Sequence, residues 1–129
     1  MRKAIYTGSK FEELAGYSRA VIDDPWIFMS GTAGPDSATG IFHADAVEQA
    51  KAALKTIGDV LALADASFAD VVQVRVYLAS RDDVLGVSKI LGQTFTDPRP
   101  TNTTIICGFP VEEIKVEIEI VAKRRAIAV

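Results

Sequence analysis

The 129-residue chain has one cysteine, one histidine and no apolar run approaching the ~20 residues of a membrane-spanning helix. Each scarcity removes a class of function. Cys107 alone cannot close an intramolecular disulfide, which suits a reducing compartment. His43 has no cysteine or second histidine near it, so no metal site is implied. The opening segment, Met1-Arg2-Lys3-Ala4-Ile5-Tyr6-Thr7-Gly8, carries two positive charges without the apolar stretch that would follow in a secretory signal. A cytoplasmic protein with no membrane partner is the expectation. An excess of positive charge is missing too. The formal net charge of −3 argues against a surface that neutralises phosphates, and therefore against a nucleic-acid partner. The only basic run, Lys123-Arg124-Arg125, reads as a solvated end that balances Glu117 and Glu119. Gly31, Gly34 and Gly40 sit in a loop spanning residues 31–40 and match neither a phosphate loop nor a dinucleotide turn, so no cofactor is expected.

What is present is hydrophobic patterning, in a chain with 49% hydrophobic residues and a length that suits one domain over residues 1–129. Strands are expected at residues 3–7, 18–22 and 26–31, separated by a polar stretch at 8–16 and an Asp23-Asp24-Pro25 turn. From 45 to 64 the period becomes helical, with Val47, Ala50, Leu54, Ile57 and Leu61 on one face and Asp45 as N-cap. Residues 70–79 return to strand, with Val72, Val74, Val76 and Leu78 opposed to Val71, Gln73, Arg75, Tyr77 and Ala79. A second helix over 82–95 turns Val84, Val87, Ile90, Leu91 and Phe95 inward and ends at Asp97-Pro98-Arg99-Pro100. The order β-β-β-α-β-α-β-β predicts an α/β sandwich (α+β): one mixed sheet of about six strands with two helices packed on one face. The uncovered face, carrying Val71, Arg75, Tyr77, Glu117 and Glu119 among apolar residues, points to self-association.

Candidate chemistry concentrates in the last third. Residues 100–122 read as two strands joined by a Gly108-Phe109-Pro110 turn. Ile114, Val116, Ile118, Ile120 and Ala122 alternate with Lys115, Glu117, Glu119 and Val121, which places the two carboxylates about 7 Å apart on one face. The preceding strand would set Asn102, Thr103 and Thr104 beside them. Paired carboxylates divide acid and base roles when their environments differ; the competing reading is an ion pair with Lys115 or Arg75. Arg75 shares the face of Tyr77 and the glutamates. Arg19 and Arg99 are further cations, less well placed, and Cys107 reads as a buried, inert thiol.

Ala15-Gly16-Tyr17-Ser18, Met29-Ser30-Gly31-Thr32 and Val116-Glu117-Ile118-Glu119, in this order and spacing, resemble the reactive intermediate deaminase family (Rid, or RidA/YjgF) over nearly the whole chain. The resemblance implies a chorismate-mutase-like fold and a homotrimer, whose sheets enclose a central barrel with ligand clefts between subunits. It also implies an enamine or imine deaminase, a hydrolase without metal. On it, Glu117 corresponds to the glutamate that positions or activates the hydrolytic water, Tyr17 to a cleft tyrosine, and Ser30-Gly31 to the strand end that lines the cleft. The chain departs from the family at Asn102, where deaminating members carry an arginine that grips the substrate carboxylate, and at Thr104, where many carry cysteine. It thus resembles a subgroup without that anchor. Two readings follow. One is a hydrolase that converts a reactive enamine or imine to a carbonyl compound and ammonia, with Glu117 catalytic and Tyr17, Ser30, Gly31, Arg75, Asn102 and Thr104 binding substrate. The other is a small-molecule-binding or interaction module on the same scaffold, without deaminase chemistry. The endoribonuclease label that some family members carry finds no support in this charge pattern.

Overall fold

A computed structural model describes residues 2–36 and 38–125; Ser37, within the expected loop, lies outside the described residues. The alternating segments form β1 (Lys3–Ile5), β2 (Ala20–Asp23), β3 (Trp26–Thr32), β4 (Val71–Leu78), β5 (Thr101–Ile106) and β6 (Val116–Lys123). The helices are α1 (Lys10–Ala15), α2 (Ala46–Leu63) and α3 (Val84–Thr94). The strands make one mixed sheet in the order β1-β2-β3-β6-β4-β5, with β4 and β5 parallel and the other neighbours antiparallel. This is the α+β class expected from the patterning.

The core lies between α2, α3 and one sheet face. Ala50, Ala53, Ile57 and Leu61 of α2 meet Ile27, Met29, Val74, Val76, Ile118 and Ile120, all buried. The two alanines carry almost no side chain, so the helix settles close to the strands. Val87, Leu91 and Phe95 close the other end, where Phe68 and Phe95 meet edge to face with centroids 5.5 Å apart. Asp45 caps α2 as expected, its carboxylate accepting the Val47 N–H at 2.9 Å. Gln49, also in α2, is fully buried and joins the helix to the approach of β6. Its amide nitrogen donates to the His43 and Glu113 carbonyls at 2.7 and 2.9 Å, and its oxygen accepts the Lys115 N–H at 2.9 Å.

Four expectations are corrected. The polar stretch at 8–16 contains α1, capped by the Ser9 side chain at one end and by Gly16, at φ +74°, at the other. Its inward residue is a carboxylate: Glu12 is buried and accepts the Thr7 N–H at 3.0 Å and the Thr7 hydroxyl. Six residues with a charged inner face carry no hydrophobic period. Second, β5 and β6 are not neighbours, because β4 lies between them. Val116, Ile118, Ile120 and Ala122 make β6 the apolar strand best suited to the sheet interior, whereas Thr101-Asn102-Thr103-Thr104 suits a solvated edge. Third, a bulge between Val71 and Gln73 shifts the register against β6, so Val71 is 4% exposed and Val72 41%. Val71 therefore belongs to the core and not to the open face. Fourth, the basic run does not balance Glu117 and Glu119. Arg124 binds Asp24 at 2.6 Å and the Ala64 carbonyl at 3.0 Å, Arg125 binds Asp70 at 3.0 Å, and Lys123 lies over the Trp26 ring.

The second sheet face stays open in the single chain. Cross-strand partners share a face, so the pairs Arg75 with Glu119, Tyr77 with Glu117 and Phe28 with Val121 stand together there.

Candidate active site

Glu117 sits near the start of the central strand, beside the end of β3. There the register between β3 and β6 breaks between Met29 and Thr32, and the chain at Gly31 comes close to the carboxylate. A Cβ at Gly31 would stand 2.7 Å from Glu117 Oε1, so any larger residue there would push the carboxylate from its present place. Burial pushes the Glu117 carboxyl above the usual carboxylate range; the positive charge of Arg19 opposes that shift and Glu119 adds to it.

Arg19 ties this cluster together. Its Nη2 donates to the Gly31 carbonyl at 3.1 Å, and its guanidinium lies 5.8 Å from the centre of the Tyr17 ring. Its Nε is buried with no hydrogen-bond partner among the described residues. Ser30 donates its hydroxyl to the Ser18 carbonyl at 2.8 Å, which fixes the same strand end. Tyr17 and Ser30 line a shallow trough of about 610 Å³ with Tyr6, Glu12, Gly16 and Ser18. The structure thus brings Tyr17, Ser30, Gly31 and Glu117 together, with Arg19 as the cation among them. Residue parity offered a signal for Arg19, two positions after Tyr17 and just before a strand. Because Arg19 acts to lower the Glu117 pKa, Arg19→Gln is expected to raise it and to move the acidic limb of any Glu117-dependent activity to higher pH. A pH profile of kcat/KM reads this directly.

Asn102 and Thr104 stand elsewhere, which corrects their expected place beside the glutamates. They pair with Val74 and Val76, whose side chains point to the helices, and so lie on the face opposite Glu117. The Thr104 hydroxyl donates to Asn102 Oδ1 at 2.8 Å. Asn102 borders a cavity of about 290 Å³ between α3 and β5, with Val74, Leu91 and Phe95 below and Ser88, Gly92, Arg99 and Pro100 around it. Sequence patterning gave Ser88 and Gly92 no distinction, because neither interrupts the helical period.

Arg75 stays on the open face and is bound there. It lies 4.0 Å from Glu119, whose Oε1 also accepts the Tyr77 hydroxyl at 2.7 Å. That hydrogen bond raises the Tyr77 pKa above its ordinary value. The ion-pair reading therefore describes Arg75 and Glu119, while Glu117 is left unpaired by either Lys115 or Arg75 among the described residues. Cys107 follows the end of β5 and is half-buried rather than buried, and His43 is exposed with Nδ1 accepting the Asp45 N–H. Among the described residues no group of three or more His, Cys, Asp or Glu side chains could hold a metal, and no helix is long and apolar enough to cross a membrane.

Comparison with known proteins identifies the family and the fold. Residues 7–124 match the family described as Endoribonuclease L-PSP. A goat protein named 2-iminobutanoate/2-iminopropanoate deaminase is 33% identical over 95% of this chain and 90% of its own length, and the human protein of that name is 32% identical over the same shares. Among solved structures, a Mycobacterium tuberculosis member of the YjgF/YER057c/UK114 family superposes with a TM-score of 0.86 at 31% identity, covering 95% of this chain and 99% of its own. A YjgF-family structure from Neisseria meningitidis, at 23% identity and a TM-score of 0.83, covers 98% of both chains and shows the shared fold. With a family match spanning residues 7–124 and relatives about one-third identical along nearly its full length, the chain belongs to the Endoribonuclease L-PSP family, also known as YjgF or Rid.

Proposed function

We propose that the protein hydrolyses a small reactive imine or enamine to a carbonyl compound and ammonia, in a cleft that two copies of the chain build together. The observation that carries the chemistry is Glu117: half-buried, raised in pKa, held against Gly31, and close enough to Arg19 to feel its charge. A carboxyl whose pKa burial raises is a better base than an exposed one, and it can return the proton it takes. In the reaction, Glu117 removes a proton from water as the oxygen adds to the C=N carbon. The proton then passes to nitrogen to give a carbinolamine; Glu117 next moves the carbinol O–H proton to nitrogen, and ammonia leaves as the C=O bond forms. Imine and water are consumed, carbonyl compound and ammonia appear, and no oxidant is required. The names of the relatives supply the substrate class, small 2-imino acids.

The opposite-facing placement of Glu117 and Asn102 supports an assembly. No single chain presents both to one ligand, and every residue of β5 is exposed along an edge that carries Ile105 and Ile106. A second copy that brings its α3–β5 cavity to the Tyr17, Gly31 and Glu117 cluster completes a two-sided cleft and covers that edge. A cyclic trimer repeats this contact with closed symmetry. In it, Tyr17, Ser30 and Gly31 line the cleft on the Glu117 side, and Asn102 and Thr104 line it on the other. Arg75 remains a wall of the open sheet face beside Glu119.

Asn102 favours a second reading. An amide already engaged by Thr104 provides no charge for a carboxylate, as a scaffold that kept its cleft as a binding module would have it. One assay separates the two readings. A hydrolase releases ammonia from 2-iminopropanoate generated in situ faster than buffer does, whereas a binding module gains thermal stability from a small ligand without clearing the imine.

A further inference from the structure

The α3–β5 cavity has an apolar floor and a rim of three polar residues, and only one of them is charged. Val74, Leu91 and Phe95 form the floor; Ser88, Asn102 and Arg99 are the polar members. A volume of about 290 Å³ is at the small end of ligand pockets. Arg99 is the one charged residue of this lining, and four arginines placed elsewhere are engaged. Arg19 holds the Gly31 carbonyl, Arg75 lies against Glu119, Arg124 binds Asp24, and Arg125 binds Asp70. Arg99 has no ion pair or hydrogen bond among the described residues, and it is carried between Pro98 and Pro100, whose rings limit the backbone freedom of the loop.

We infer that Arg99 is the specificity-determining cation of the cavity, and that the cavity takes a small carboxylate whose short apolar group rests on Val74, Leu91 and Phe95. This assignment rests on the cleft reading above for its place in the reaction, and on the cavity itself for binding. The guanidinium fork supplies the charge-assisted bonds that Asn102 cannot, while the Asn102 amide is left to orient a carbonyl or imine. Approaching from the loop rather than from the strand, Arg99 fixes a carboxylate at the rim and turns the remainder of the ligand inward.

Gly92 makes the test clean. A Cβ built there meets nothing within 4 Å, so a larger side chain enters open space at the cavity rather than the core, and the helix gains by losing a glycine. The full chain is titrated by calorimetry with 2-oxobutanoate and with its neutral amide, for the parent, Arg99→Gln and Gly92→Phe. The parent is expected to bind the carboxylate more tightly than the amide, with a preference that falls as salt is added. Arg99→Gln is expected to lose about ten- to a hundredfold in carboxylate affinity and to leave the amide unchanged; Gly92→Phe is expected to abolish binding of both. Failure of the parent to bind, equal binding of both probes, or unchanged carboxylate affinity in Arg99→Gln overturns the assignment. Ammonia release measured in parallel keeps the two readings apart. Turnover by the parent with an unchanged KM in Arg99→Gln defeats the role of Arg99 and leaves the hydrolase. Carboxylate preference without turnover defeats the hydrolase and leaves Arg99.

Discussion

Glu117→Gln is expected to lower ammonia release by about a hundred- to ten-thousandfold, the usual contribution of a positioned acid–base group, and to make the fold more stable at neutral pH. The two effects share a cause. Burial raises the folded-state pKa of Glu117 above its unfolded value, so between those two values the native state holds the proton more tightly than the unfolded chain does. Stability therefore falls as the pH rises through that window, and at neutral pH the ionised carboxylate is a standing cost. Glutamine removes the charge and preserves the shape. Thermal melts at pH 7 are expected to show a higher Tm for the variant, and the difference is expected to vanish below about pH 4, where glutamic acid is neutral in both states. A structural glutamate stabilised by a partner would give the opposite sign at pH 7.

Gln49→Leu is expected to destabilise the fold by about 3–5 kcal/mol, a large share of the total stability of an ordinary domain. Leucine fills a similar volume, so packing contributes little to the loss. The cost comes from the His43 and Glu113 carbonyls and the Lys115 N–H, which lose their partners at once, at roughly 1–3 kcal/mol for each group that the leucine side chain then shields from water. Lys115 is the residue before β6, so this side chain also sets where the strand that carries Glu117 begins. The midpoint of urea unfolding measures the loss. A change below about 1 kcal/mol would mean that water replaces all three bonds.

Much of the fold was legible because burial in it follows simple periods. Ile114, Val116, Ile118, Ile120 and Ala122 alternate in the sequence and are all buried, and the 45–64 helix turns Ala50, Leu54, Ile57 and Leu61 inward as its period requires. Strand order was not legible by the same means. Alternation tells which face a residue takes but not which strand lies beside it, so the hairpin expected from residues 100–122 gave way to a sheet with β4 in between. The Val71 bulge is invisible for a related reason: it falls at two successive valines, Val71 and Val72, where either phase looks apolar.

The candidate site divides along the same line. Tyr17, Ser30, Gly31 and Glu117 were singled out as candidates from short sequence segments, and the fold brings them near one another, whereas the position of Asn102 relative to Glu117 depended on the strand order. Arg19 and Arg99 were read in the sequence as further cations, less well placed than Arg75. What distinguishes them is three-dimensional: one is locked between Tyr17 and Gly31, and the other is uncommitted at the rim of a cavity.

The central claim is that each cleft takes Glu117 from one chain and the α3–β5 cavity from another. Mixing tests it most directly. Glu117→Gln and Gly92→Phe, each inactive alone, are unfolded together in equal amounts, refolded, and assayed for ammonia release. A shared cleft is expected to restore activity to about one quarter of sites, the random-assortment value for a contact that takes one half from each of two neighbours. A mixture no more active than the two variants refolded separately would contradict the claim and place the reaction within a single chain.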